Sequence, residues 1–338
     1  MQVKISQAVK MITAIIKAKL VAMLKSSPGL GKSSVVRQIA AMYGLKVIDL
    51  RLSQCDPTDL LGFPTINKDG RAGYAPMDTF PIEGDEIPKG YNGWLLFLDE
   101  FNSASPAVQA AAYKVVLDRM VGIHNLHPNL AIVCAGNLES DGAIVNPMST
   151  ALQSRIVHLE LVLDNEEWLA WAASEKLDHR ILDFIRFKPG DLYNFTPDHT
   201  DVTYACPRTW EFANRIVGVS DITDHDTLPM LAGALGEGVA REFITFCKIY
   251  EHVPKPAQIM ANPEGVPVPA EPSYLYALTG TLSHNANESN FGQLMKFIKR
   301  MPAEFQVVTL KDTVRRNKTM LQHSSMREWV ATSAVELF

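Results

Sequence analysis

Ser26-Ser27-Pro28-Gly29-Leu30-Gly31-Lys32-Ser33 lies between an apolar run, Leu20–Leu24, and the helically spaced Ser34-Val35-Val36-Arg37-Gln38-Ile39-Ala40-Ala41. Strand, glycine-rich turn, Gly-Lys-Ser and helix together make a phosphate-binding loop. Successive backbone N–H groups, from Ser27, Gly29, Leu30, Gly31, Lys32, Ser33 and Ser34 around Pro28, and the positive end of the helix dipole wrap a polyphosphate. In such a loop Lys32 reaches the β/γ oxygens and the Ser33 hydroxyl holds Mg²⁺. Ser26 departs from the usual pattern, which opens with a glycine that favours a tight bend.

Trp94-Leu95-Leu96-Phe97-Leu98-Asp99-Glu100 is apolar without alternation and ends in two carboxylates. A strand buried on both faces of a parallel sheet has this composition. Ligands of such sheets sit at the carboxyl ends of strands, which sets Asp99 and Glu100 beside the phosphates. Asp99 then serves the Mg²⁺ shell, and Glu100 orients and deprotonates the attacking water. Adjacent acids after a strand also serve as helix caps; the phosphate loop upstream favours the catalytic reading.

Three further features fit a nucleoside-triphosphate motor. Strand Leu130–Ala135 leads into Gly136-Asn137, an amide at a strand's carboxyl end that can hold the attacking water or the γ-phosphate. Asn after Gly is also a turn former. Ala151-Leu152-Gln153-Ser154-Arg155 precedes a strand, and Arg155 suits an arginine finger for a neighbouring subunit, a device worth roughly 10³–10⁵ in turnover. A surface salt bridge worth ~0–1 kcal/mol is its plainer role. Cys206-Pro207-Arg208-Thr209-Trp210 starts a helix from which Arg208 can report nucleotide state.

The chain has 338 residues, more than one typical core. Residues 1–163 alternate apolar runs with helical patterns and read as an α/β nucleotide-binding core built on a parallel sheet. Residues 164–252 read as a helical lid, 253–272 as a proline-rich linker, and 273–338 as a C-terminal helical segment. A charge of −5 offers no global attraction to nucleic acid or anionic membrane. Four scattered cysteines without a Cys-x-x-Cys pair suit a reducing, cytoplasmic setting and argue against zinc. No apolar run approaches a membrane span.

Together these motifs resemble the AAA+ ATPases and, within them, the MoxR family. Asp99-Glu100-Phe101-Asn102-Ser103-Ala104-Ser105-Pro106, followed by Val108-Gln109-Ala110-Ala111, is similar to the family's strand-end segment, with Ser103 where arginine is usual. Asp59-Leu60-Leu61-Gly62 is similar to the segment before its helix-2 insertion, and Cys206-Pro207-Arg208 to its lid motif. The resemblance implies Lys32 and Ser33 at the end of Walker A, Asp99 and Glu100 as Walker B, Asn137 as sensor 1, Arg155 as the finger and Arg208 as sensor 2. It further implies a five-stranded sheet in the order 5-1-4-3-2, a helical lid, ATP with Mg²⁺, and a hexameric ring. Residues 63–82 would be an insertion and 121–127 a hairpin, both facing the pore or a partner. A separate von Willebrand A-domain protein is the partner type implied.

The expected activity is therefore ATP-driven remodelling or assembly of a partner protein complex. Two alternatives remain open in the sequence. The basic set Lys296, Lys299, Arg300, Lys311, Arg315, Arg316 and Lys318 suggests a nucleic-acid-associated ring GTPase, and a nucleotide-gated scaffold would bind without turnover.

Overall fold

The run before Asp99 is buried from Gly93 to Leu98 and lies inside a parallel sheet, as its composition demands. The structure, a computed structural model, describes residues 2–66, 68–141, 145–197 and 201–337. Asn67, inside the 63–82 insertion, and Phe338, the end of the C-terminal segment, lie outside the described residues.

Two compact units divide the chain, the first holding residues 1–164 with 196–198. Its strands are β1 (Gln2–Val3), β2 (Ala22–Ser26), β3 (Leu45–Arg51), β4 (Phe63–Ile66), β5 (Ala72–Ala75), β6 (Gly93–Asp99), β7 (Met120–Val121), β8 (His124–Asn125), β9 (Leu130–Asn137) and β10 (Val157–Leu161). Its helices are α1 (Ile5–Lys17), α2 (Lys32–Tyr43), α3 (Pro57–Leu61), α4 (Pro106–Tyr113) and α5 (Thr150–Gln153).

One sheet runs β1-β10-β2-β9-β6-β3 with every neighbouring pair parallel. It has six strands, not the expected five. Gln2 and Val3 pair with Glu160 and Leu161, because the edge of β10 offers unpaired backbone groups and Val3 buries its side chain there. Two residues are too few to announce a strand by alternation. The expected order 5-1-4-3-2 thus holds only for the other five strands.

Alternate residues of each strand face opposite ways. Met23, Leu96, Leu98, Ile132 and Cys134 share a core with Val108, Ala111 and Ala112 of α4 and Leu152 of α5. Helices α1 and α2 also pack on the sheet, α2 against β2, β3 and β6. The segments 63–82 and 121–127 each carry an antiparallel pair, β4–β5 and β7–β8.

The second unit, residues 165–195 and 199–338, is helical in its described part. Its helices are α6 (Asn165–Ser174), α7 (His179–Phe187), α8 (Pro207–Val217), α9 (Thr227–Leu235), α10 (Glu237–Lys248), α11 (Pro256–Ala261), α12 (Pro272–Asn285), α13 (Phe291–Ile298), α14 (Ala303–Arg316) and α15 (Ser324–Leu337). Within the proline-rich stretch 253–272, α11 buries Ile259 in a core with Leu278, Phe291 and Leu294.

A buried charged joint ties α7 to α12 and α14. Asp183 of α7 accepts from the Tyr250 hydroxyl and pairs with Arg186 at 3.1 Å, and Arg186 reaches Asp312 of α14 at 2.5 Å. One guanidinium therefore serves two carboxylates. Burial pushes the Asp183 carboxyl up to about 8, against the opposing pull of Arg186 and the Tyr250 hydrogen bond. Gly280 of α12 lies so close that an added Cβ would stand 1.6 Å from Asp183 Oδ2. No helix among the described residues is long and apolar enough to cross a membrane.

Candidate active site

Parallel register brings the carboxyl ends of β2, β9, β6 and β3 to one edge, with Ser26 opposite Asn137 and Arg51 opposite Asp99. The chain leaves β2 through a turn in which Gly29 (φ 79°) and Gly31 (φ 92°) take left-handed conformations that cost other residues energy. Leu30 is buried and pins the turn to the core. Gly31 then caps α2 with no side-chain bond to the helix start, so the first N–H groups of α2 are left for an anion.

Lys32 opens that helix. Its Nζ donates to Ser26 O at 3.1 Å, to Ser26 Oγ at 3.2 Å and to Asn137 Oδ1 at 3.0 Å. Ser26 is fully buried, and its hydroxyl donates to Ser27 O at 2.8 Å. The serine that departs from the loop pattern thus has a positive φ neither observed nor needed, and it supplies an acceptor for Lys32. Ser33 is half-buried and Ser34 exposed on the same helical turn.

Asp99 ends β6 half-buried. Burial raises its pKa most, opposed by the Glu100 N–H, which it accepts at 2.8 Å, and by the charge of Lys32. Glu100 has φ 55° and ψ 34°, a left-handed conformation rare outside glycine and typical of functional sites under local strain. Its Oε2 accepts from the Ser53 hydroxyl, just past β3.

Asn137 is held by a partner the spacing rules did not single out. Asn102 Oδ1 accepts from Asn137 N at 3.0 Å, and Asn102 Nδ2 donates to Asn137 O at 2.8 Å. Gly136 makes room: a Cβ there would stand 2.2 Å from Asn102 Oδ1 and 2.7 Å from Met23. Gln109 and Asn146 extend the latch, both donating to Ala104 O. Ser103, where the resembled family has arginine, donates its backbone N–H to Glu100 O at 3.0 Å.

The sequence-predicted residues Lys32, Asp99, Glu100 and Asn137 therefore converge through bonds and charge. Arg155 stands apart, exposed, with Nη1 donating to Ala151 O at 3.1 Å and no carboxylate paired to it among the described residues. Arg208 belongs to the second unit, exposed on the first turn of α8, where its charge bears on Glu211. Ser53, Asn102 and Gly136 complete the site; Asn102 and Gly136 lie inside quoted motifs that assigned them no role, and Ser53 in none.

No protein-family profile matches the chain. Among solved structures it is similar to a RuvB variant of Thermotoga maritima, with a TM-score of 0.40 and 17% identity over 82% of this chain and 81% of that one. Another Thermotoga maritima RuvB structure, described as a Holliday junction branch migration motor, gives 0.37 at 15% identity over 82% and 80%. A protein of Cytophaga hutchinsonii described as a candidate ATPase gives 0.35 at 16% identity over 97% and 87%. These likenesses are loose. The functional reading rests on the loop and strand ends of this chain.

Proposed function

We propose that the protein is a Mg²⁺-dependent AAA+ ATPase of the MoxR type, acting as a ring that remodels or assembles a separate partner protein. The observation that carries this reading is Lys32 at the head of α2, bonded to Ser26 and Asn137 beside the Asp99–Glu100 strand end. The donor set fits Mg²⁺. Among the described residues no group of three or more carboxylate, histidine or cysteine side chains forms a cation cage. Mg²⁺ asks for no such cage, since one or two protein oxygens, phosphate and water hold it. Ser33 and Asp99 are those oxygens here, and when bound the ion neutralises charge on the phosphates.

The protein groups divide the remaining work. Backbone N–H groups of residues 29–34 and Lys32 Nζ bind and orient the β- and γ-phosphates. A Glu100 carboxylate oxygen takes a proton from the attacking water as its oxygen bonds to the γ-phosphorus and the bond to the departing diphosphate breaks. The Asn137 amide, fixed through its backbone by Asn102, holds that water in line. Arg155, exposed and free of a carboxylate, suits a finger offered to a neighbouring copy, and Arg208 we assign as the sensor of the second unit.

The nucleic-acid alternative has less to stand on. Lys299 pairs with Glu328, Arg300 donates to the carbonyls of Pro263 and Val266, Arg315 pairs with Asp312, and Arg316 donates to Leu177 O. Most of the basic set is thus spent within the fold.

Hydrolysis of ATP and GTP, measured across protein concentration, tests the proposal. Wild-type turnover should need Mg²⁺ and rise in specific activity with concentration. Glu100→Gln should bind nucleotide and fail to hydrolyse it, whereas Lys32→Ala should lose binding itself. Undiminished hydrolysis by Glu100→Gln would remove the catalytic assignment.

A further inference from the structure

A cavity of about 850 Å³ opens at the opposite edge of the sheet, beside the amino ends of β3 and β9. The eight residues of β9 separate it from Asn137 by roughly 23 Å. It is no part of the nucleotide site. Ile16, Leu20, Ile39, Leu45, Leu126 and Ile132 give it a largely apolar wall.

One charged group in that wall is held in place with donors to spare. Arg119 follows a π-helical turn with φ 53°, and its Nη2 donates to Leu130 O at 2.5 Å and His127 O at 3.4 Å. Those carbonyls solvate one corner of the guanidinium but bring no formal negative charge. Among the described residues Nε and Nη1 have no protein acceptor, and no carboxylate pairs with the half-buried group. Burial lowers its pKa with no neighbouring acid to offset it.

The other charges of the wall do not fill this gap. Glu83 accepts from Asn125 Nδ2 at 3.1 Å, and Asp118 is exposed at the rim. Lys17, over the Tyr43 ring, and Lys19 add two cations at the end of α1.

We propose that this cavity binds a small amphipathic carboxylate, an apolar chain or ring seated on the aliphatic wall with its anion on Arg119. The remaining guanidinium N–H groups can give charge-assisted hydrogen bonds to a carboxylate oxygen. The volume falls within the ~300–1,000 Å³ of small-molecule sites, and a concave apolar wall with few fixed polar groups is their usual lining. The inference does not depend on nucleotide hydrolysis.

Decanoate and its uncharged amide are suitable probes, titrated calorimetrically into the full-length protein. Wild type should bind decanoate saturably, one per chain, and about tenfold or more tighter than the amide. Leu20→Trp, at a half-exposed rim position where the fold tolerates change, should fill the entrance and weaken decanoate by about tenfold. Arg119→Gln, with its fold verified by circular dichroism, should bind the two probes alike. Absence of saturable decanoate binding at millimolar concentration would overturn the proposal, as would equal wild-type affinity for the amide or unchanged binding by Leu20→Trp.

Discussion

Asn102 lies three residues beyond Asp99, yet its work is done on a strand 35 positions away. Its amide closes two hydrogen bonds with the Asn137 backbone and fixes where that side chain begins. In Asn102→Ala the half-buried Asn137 N–H and C=O lose this partner, and chemical denaturation should register a loss of about 2 kcal/mol. Local spacing marked Lys32, Ser33, Asp99 and Glu100 as candidates, because phosphate loops and strand-end acids are defined within a few residues. Asn102, Ser53 and Gly136 were not legible as site residues. Their roles exist only once β2, β9, β6 and β3 lie side by side, and no spacing along one segment encodes that. Ser26 was read as a departure, and its buried hydroxyl turns out to be an acceptor for Lys32.

At the level of elements, long apolar strands and amphipathic helices were visible, while short or interrupted ones were not. Strands β2, β6 and β9 fall within a few residues of the apolar runs Leu20–Leu24, Trp94–Leu98 and Leu130–Ala135. Gln2–Val3 escaped because a two-residue strand has no period. The helical stretch divides at Gly236, whose φ of 86° ends α9 before α10 begins. Helix α7, inside the stretch read as helical, buries Ile181, Leu182, Phe184 and Ile185 with Asp183 among them. That aspartate also sets the packing distance to α12. Gly280→Ala would drive a methyl group into Asp183, so the α7–α12 joint should loosen by about 3 kcal/mol, read as a lower melting temperature of the second unit.

For the whole molecule, pH and assembly give the broadest tests. An acid with a raised folded-state pKa keeps its proton longer in the folded chain. For Asp183, facing Arg186, Asp312, Tyr250 and the charge of Arg316, the stabilising contribution is full below the ordinary value of 3.8 and is lost as pH rises to about 8. Calorimetry should show the unfolding of the second unit moving to lower temperature across that window, with a flatter profile in Asp183→Asn. Turnover, in contrast, should depend on association: Arg155→Ala is expected to bind nucleotide normally and lose about a hundredfold or more in rate at concentrations where the wild type associates, and to match it where copies are dissociated. Normal turnover by that variant would return Arg155 to an ordinary surface role.

The bonding of Lys32 has a consequence for how the loop chooses and releases anions. An ammonium has three protons to give, and Ser26 O, Ser26 Oγ and Asn137 Oδ1 accept from it. A phosphate oxygen that reaches Lys32 competes with these neutral acceptors, so its gain is a difference between two bonds. A chain of phosphates, spread along the loop and richly charged, wins that exchange with ease. On the proposed hydrolysis, a lone orthophosphate cut from the chain would win little, and Asn137 and Ser26 would take its bonds back.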